Sequence, residues 1–405
     1  MSPSEDQSIK DYFQHFDPTR VTSPCFVVDR QAIEDNLRIL KRVQTESGAK
    51  VLAALKAFSF WKLAPLTLEY LSGTCSSGLH EARLAYEEYR GKGLDGEVHT
   101  YSAAFKDEEF PEILRISDHV VFNSFSQWHR LQPLISEAKK AHHLPKFGLR
   151  INPEHSEGSV DLYDPCANQS RLGITISEFH ADQLIGSSGA QITGLHFHTL
   201  CEQDFLPLKR TLESIENNFS DTLKQMEWVN FGGGHHITRP DYQISDLIEC
   251  IKNFSQKYQV QVYIEPGEAV AINTGGLVCE VLDIIQNNGE IAILDTSATC
   301  HMPDTLEMPY RADIRGAGQP YEKAHTYRLG GMTCLAGDIM GDYSFGAPLE
   351  IGQRLIFEDM AHYTMVKTST FNGIGLPSLA LWDSSTDELE IVKSFTYDDF
   401  KNRLS

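Results

Sequence analysis

Lysine, histidine, glycine and glutamate recur in this sequence where short apolar runs end. Lys56 lies near the end of "VLAALKAF" (51–58), an otherwise apolar stretch. A strand-end lysine can lay its stem on apolar surface and keep its charge in water. A desolvated one loses its proton more readily, and a neutral amine attacks a carbonyl carbon to form a Schiff base. "HFH" (196–198) puts His196 and His198 two apart, on one face of a strand. Such a pair can ligate zinc, or an imidazole can stack on an aromatic ring. His235 and His236 could add ligands, but no acidic or Cys ligand stands at a convincing spacing. A metal would also leave the lysine and glycines unexplained, so none is expected. "NFGGGHH" (230–236) places Gly232, Gly233 and Gly234 straight after a strand, where bare backbone N–H groups can approach an anion such as phosphate. "IEPGEAV" puts Glu265 at a strand end, and a buried carboxylate is costly unless paired. Its partner is either Arg150, which ends "KFGLR", or a protonated pyridine nitrogen, which keeps a ring an electron sink.

These residues need a frame that brings them together. Eight runs read as strands: 51–55, 73–78, 97–102, 119–124, 146–152, 192–199, 227–234 and 262–267. Between them lie amphipathic segments, such as "RQAIEDNLRILKRVQ" with Ile33, Leu37 and Leu40 at helical spacing, and "LHEARLAYEEYR". Eight strand-helix units predict a (β/α)8 barrel over 30–270. Such barrels build their sites at the C-terminal ends of the strands, with phosphate often held after strands seven and eight. Lys56, Arg150, "HFH", "GGG" and Glu265 all fall at those ends. An amine, a phosphate cradle, a flat ring partner and an acid together describe a site for pyridoxal 5'-phosphate (PLP). After residue 270, "GLVCEVLDII", "EIAILDT", "RLIFEDM" and "LEIVKSF" are strands separated by turns, which predicts an all-β domain over 271–405. Residues 1–29, with the early strand "CFVVD" (25–29), are assigned to it.

The chain's 405 residues, 41% hydrophobic, suffice for two such cores. Lys and Arg number 35 against 56 Asp and Glu, a net charge of −21, which argues against nucleic acid and suits a cationic substrate. The eight cysteines form no C-x-x-C pair, so neither a zinc ribbon nor a disulfide framework is expected. The N-terminal residues lack a signal-peptide pattern, and no apolar run approaches the ~20 residues of a membrane span. A reducing, cytoplasmic setting is the expectation.

The motifs resemble the alanine racemase-like, fold-type III PLP decarboxylases, over roughly 23–400. "ALKAFSFW", "GTCSSGLHE", "GLHFHTLCEQ", "NFGGGHH", "EPGEAV" and "HYTMVKTSTFNG" look most like the carboxynorspermidine decarboxylase family. The resemblance implies decarboxylation of carboxynorspermidine or carboxyspermidine to norspermidine or spermidine. It also implies roles. Lys56 would form the Schiff base and His198 would stack on the ring. Gly232, Gly233, Gly234 and Tyr363 would hold the phosphate, and Glu265 would meet the ring nitrogen with Arg150 nearby. Phe371 and Asn372 follow Tyr363 in the same motif. "GGMTCLAGD" (330–338) resembles the relatives' cysteine motif, so Cys334 and Asp338 would act across the interface of a homodimer with shared sites, Cys334 as proton donor. This chain has Glu268 where ornithine and diaminopimelate relatives show arginine, and Leu200–Cys201 where they show Gly-Ser. With Asp304 and Asp338, Glu268 would suit a small cationic, polyamine-like substrate. The alternatives are another basic amino-acid decarboxylase of this fold, such as one for diaminopimelate, and a PLP carrier without turnover.

Overall fold

The computed structural model describes residues 12–405 except His142 and Ser159, so the first eleven residues of the expected β-domain lie outside the described residues. The chain divides into two units: Asn36–Val270, and the segment up to Asp35 together with Ala271–Ser405.

Strand β1 (Cys25–Asp29) belongs to the second unit. The first unit is built on β2 (Lys50–Ala54), β3 (Gly73–Ser76), β4 (Glu97–Tyr101), β5 (His119–Phe122), β6 (Lys146–Arg150), β7 (Ile192–His196), β8 (Trp228–Asn230) and β9 (Gln261–Ile264). All pair in parallel and close into a barrel, β9 returning to β2. Parallel strands buried on both faces read as continuous apolar runs, which is why "HVVF" and "WVN" are buried throughout. The expected strands are present but stop earlier. "GGG" lies beyond β8 because Gly232 and Gly234 take left-handed φ values of 70° and 87°. "EPG" lies beyond β9, where Pro266 has no N–H for the ladder.

Trp228 fills the barrel interior. A Cβ on Gly148 of β6 or Gly194 of β7 would lie 2.3 or 2.0 Å from its indole. His119 meets that indole edge-on at 4.9 Å. Outside, the helix Phe205–Leu223 buries Phe205, Leu208, Leu212, Ile215 and Phe219, the apolar stripe of a helix with one covered face. The helix Arg30–Ser47 buries Ile33, Leu37 and Leu40, as their spacing predicts. "LHEARLAYEEYR" is helical throughout, α-helical to Leu84 and a wider π-helix over Ala85–Arg90 that keeps Ala85 and Tyr89 buried.

The second unit is a mixed sheet of eight strands. Its order is β13 (Ile339–Phe345), β12 (His325–Gly330), β11 (Glu290–Leu294), β10 (Gly275–Gln286), β1, β15 (Ser378–Asp383) and β16 (Glu388–Lys393), with β14 (Arg354–Glu358) also on β10. β1 runs antiparallel to β10 and parallel to β15, buried at all five residues. Its core joins Phe13, Phe16, Val27, Val278, Ile356 and Trp382. Among the described residues no helix is long and apolar enough to cross a membrane.

Candidate active site

The barrel gathers several of the sequence-predicted residues where its strands end. Glu265 follows β9 directly. Asn230 Nδ2–H donates to its Oε1 (2.7 Å), and His196 Nε2 stands 3.3 Å from Oε2. Burial alone would raise this carboxyl, but His196 and then His198 outweigh it and hold it at about 2. Glu265 is therefore an ionised carboxylate in a largely buried place.

Arg150 takes a different position from the expected salt bridge. Among the described residues no ion pair joins it to Glu265. Its Nη2–H donates to the His198 carbonyl oxygen (3.1 Å), and the guanidinium lies 4.7 Å over the Tyr101 ring. Tyr101 in turn stacks on His196 at 5.4 Å and 18°. Burial pushes His196 down, against the pull of Glu265, and holds His198 well below its ordinary value. The Gly233 N–H donates to His198 Nδ1 (3.0 Å), which puts the ring proton on Nε2.

The three glycines are required first by the chain itself. Added Cβ atoms would lie 2.5 Å from Phe197 O at Gly232, 2.0 Å from Glu265 O at Gly233 and 1.9 Å from Leu200 O at Gly234. The Gly232 N–H donates to Asn230 Oδ1 (2.8 Å). With the amides of Gly232 and Gly233 engaged inside the protein, an anion here meets the Gly234 end of the loop. Lys56 follows β2 in a turn over 55–57 and is exposed. The expected desolvation is therefore not supplied by the chain around it, because the backbone leaves the ladder at Ala54 and the turn lifts the side chain clear. Glu268 opens the short helix Glu268–Ala271 and faces His236 at 3.1 Å.

Sequence reasoning missed Asn230, Tyr101 and Cys75. Burial pushes the Cys75 thiol well above its ordinary value, and Glu265 beside it adds to this. All three sit at the end of a barrel strand, or one residue short of it, which was the available signal. His235, offered as a metal ligand, is instead hydrogen bonded to Tyr242 Oη at 2.6 Å. A cluster of potential metal ligands, Glu97, His99 and His119, lies at the N-terminal end of the barrel strands. The two rings stack 4.0 Å apart at 21°, so their in-plane lone pairs do not converge on one ion, and Lys50 already pairs with Glu97.

The remaining predicted residues lie in the sheet unit. Asp304 Oδ2 accepts from Tyr310 Oη (2.7 Å) and Thr364 Oγ1 (2.8 Å), while Oδ1 is buried without a partner among the described residues. Tyr363 precedes Thr364 with φ 39°, a strained conformation for a tyrosine. Cys334 is exposed, and its N–H donates to Asn372 Oδ1 (3.0 Å). Asp338 is 2% exposed and fully engaged in hydrogen bonds.

In the barrel, an ionised buried carboxylate, a neutral flat imidazole, a lysine and a glycine loop that admits no Cβ fit PLP by their chemistry. Residues 25–361 match the family model described as pyridoxal-dependent decarboxylase, C-terminal sheet domain. The chain is 45% identical over 395 residues to the carboxynorspermidine/carboxyspermidine decarboxylase of Campylobacter jejuni, covering 95% of this chain and 99% of that one. It is also 45% identical to the carboxyaminopropylagmatine decarboxylase of Synechocystis sp., over 94% of this chain and 95% of that one. The solved structure of C. jejuni carboxynorspermidine decarboxylase complexed with norspermidine superposes with a TM-score of 0.85 at 43% identity, covering 95% of this chain and 100% of that one. The chain belongs to the pyridoxal-dependent decarboxylase family, and its cofactor is PLP.

Proposed function

We propose that this protein removes CO2 from carboxynorspermidine or carboxyspermidine, releasing norspermidine or spermidine. Identity alone does not separate these substrates from a carboxylated agmatine derivative, since relatives of both kinds stand at 45%. The observation that carries the choice is Asp304. Its Oδ2 is filled by Tyr310 and Thr364, leaving the single buried oxygen Oδ1 without a donor among the described residues. One unpaired oxygen suits an ammonium, whereas a guanidinium pairs best with both oxygens of a carboxylate. Glu268 is a second candidate for a substrate amine, shared with His236.

PLP supplies an electron sink for the pair left when the carbon–carboxylate bond breaks. In this reading Lys56 Nζ would hold the cofactor and His198 would face its ring. Glu265, held ionised by His196 and Asn230, would keep a proton on the ring nitrogen. Arg150 supports this group by holding the His198 backbone. Gly234 would secure the phosphate on the loop that Gly232 and Gly233 shape, with Tyr363 as the family resemblance implies. The Cys334 thiol of a second copy returns a proton to the substrate carbon, which requires a homodimer with shared sites. A reducing, cytoplasmic setting, which keeps that thiol free, belongs to the same reading.

The test is CO2 release by the PLP-loaded protein on carboxynorspermidine, carboxyspermidine, carboxyaminopropylagmatine, diaminopimelate, ornithine and arginine. Turnover of the two carboxylated triamines above all others is expected. Preference for the guanidinium-ended substrate would overturn the reading of Asp304, and activity on an amino acid alone would overturn the substrate class.

A further inference from the structure

We propose that Asp338 is a positioning residue for Cys334, acting on the loop that carries the thiol and not on a substrate amine. The proposal rests on the reading of Cys334 as proton donor. The resemblance gave Asp338 a place beside the substrate, but its surroundings leave no oxygen for one. Oδ1 accepts from Ser297 Oγ (2.9 Å) and the Thr299 N–H (3.2 Å). Oδ2 accepts from Ser297 Oγ (2.9 Å), the Thr333 N–H (3.1 Å) and Thr333 Oγ1 (2.7 Å). The carboxylate is thus saturated by its own chain, and such charge-assisted bonds are short and directional.

The backbone closes around the same side chain. The Gly331 N–H donates to Asp338 O (2.9 Å) and the Asp338 N–H to Leu335 O (3.0 Å). A Cβ at Gly331 would sit 2.3 Å from Asp338 Oδ2, so the loop entrance admits only glycine against this carboxylate. Residues 331–338 are therefore a loop closed on one buried anion, with Cys334 exposed at its tip. A second tether, Asn372 Oδ1, accepts the Cys334 N–H (3.0 Å) from a residue held at φ 63°. Two anchors fix the Cys334 backbone while its thiol stays outside the core. Asp338 cannot be replaced by asparagine without turning an NH2 toward a donor, because both oxygens serve donors only.

The test uses the PLP-loaded full chain and the variants Asp338→Asn, Asn372→Ala, Cys334→Ala and Asp338→Asn/Cys334→Ala. Iodoacetamide labelling read by peptide mass mapping reports each cysteine separately. Asp338→Asn should raise the labelling rate of Cys334 about fivefold or more and leave Cys201, exposed in the other unit, within about twofold. The kcat should fall about tenfold or more with KM within about twofold, and the double variant should be no slower than Cys334→Ala alone. Unchanged Cys334 labelling, or additive losses in the double variant, would overturn the proposal. Full turnover by Cys334→Ala would instead remove the proton-donor reading, with labelling still deciding whether Asp338 holds the loop. Should Asp338→Asn fail to fold, Asn372→Ala decides: faster Cys334 labelling supports the tethered loop, and wild-type labelling rejects it.

Discussion

Glu265→Gln keeps the side chain's size and removes its charge, which isolates what the carboxylate does. In the native site Asn230 occupies Oε1 and His196 Nε2 faces Oε2. Glutamine can keep its oxygen toward Asn230, but its NH2 then faces His196 Nε2. That nitrogen must pass its hydrogen to Nδ1, which is buried without a partner among the described residues. One orphaned donor costs about 1–3 kcal/mol of stability at neutral pH. The effect on turnover is larger, because the ring-nitrogen proton loses its counter-charge, and removing one preorganised electrostatic group costs about 10²–10³ in kcat. The pH dependence follows from the depressed carboxyl, at about 2 in the folded protein against 4.5. A depressed acid contributes its stabilisation in full above the unfolded value and loses it as pH falls through the folded one. At 1.36 kcal/mol per pH unit that is of order 3 kcal/mol, lost between about pH 4.5 and 2. The assays are kcat at saturating substrate and urea unfolding across that range. A Glu265→Gln protein with kcat within about threefold of wild type, or with the same acid-induced loss of stability, would refute the reasoning.

Asp304→Asn should raise KM for a carboxylated triamine about tenfold or more with kcat within about threefold, the loss of a charge-assisted hydrogen bond, and an unchanged KM would remove Asp304 from the substrate site. Gly234→Ala, forced toward the Leu200 carbonyl at a positive φ, should weaken PLP binding at least about tenfold by equilibrium dialysis, and wild-type affinity would contradict the role of that loop. Gly194→Ala should lose at least about 1–3 kcal/mol in urea unfolding, because its methyl group would stand 2.0 Å from the Trp228 indole, and an unchanged midpoint would show that the indole has room to move.

The barrel was legible because most of its strands are buried on both faces and read as short apolar runs. The candidate site residues drew attention for a related reason: ionisable and glycine residues stand out where such runs end. What the sequence hid is pairing. Glu265 takes His196 and Asn230, and Arg150 takes Tyr101 and the His198 carbonyl, a choice set by register between neighbouring strands rather than by spacing along any one. Lys56 looked desolvated because the residues around it are apolar, yet a turn exposes it. In the sheet unit β12, β13 and β15 escaped notice. The cross-strand pair Arg328–Asp342, bonded at 2.8 Å, breaks the apolar pattern of the first two. The saturated carboxylate of Asp338 depends on Ser297 and Thr299, some forty residues away, which no local pattern reveals.

Lys56 as the residue that carries PLP is tested most directly by borohydride reduction of the PLP-loaded protein followed by peptide mass mapping. The predicted result is one pyridoxyl phosphate mass per chain, on the peptide containing Lys56 and absent from a Lys56→Ala variant. The same mass on another lysine, or none on Lys56 in a protein that releases CO2, would contradict the assignment of the barrel site.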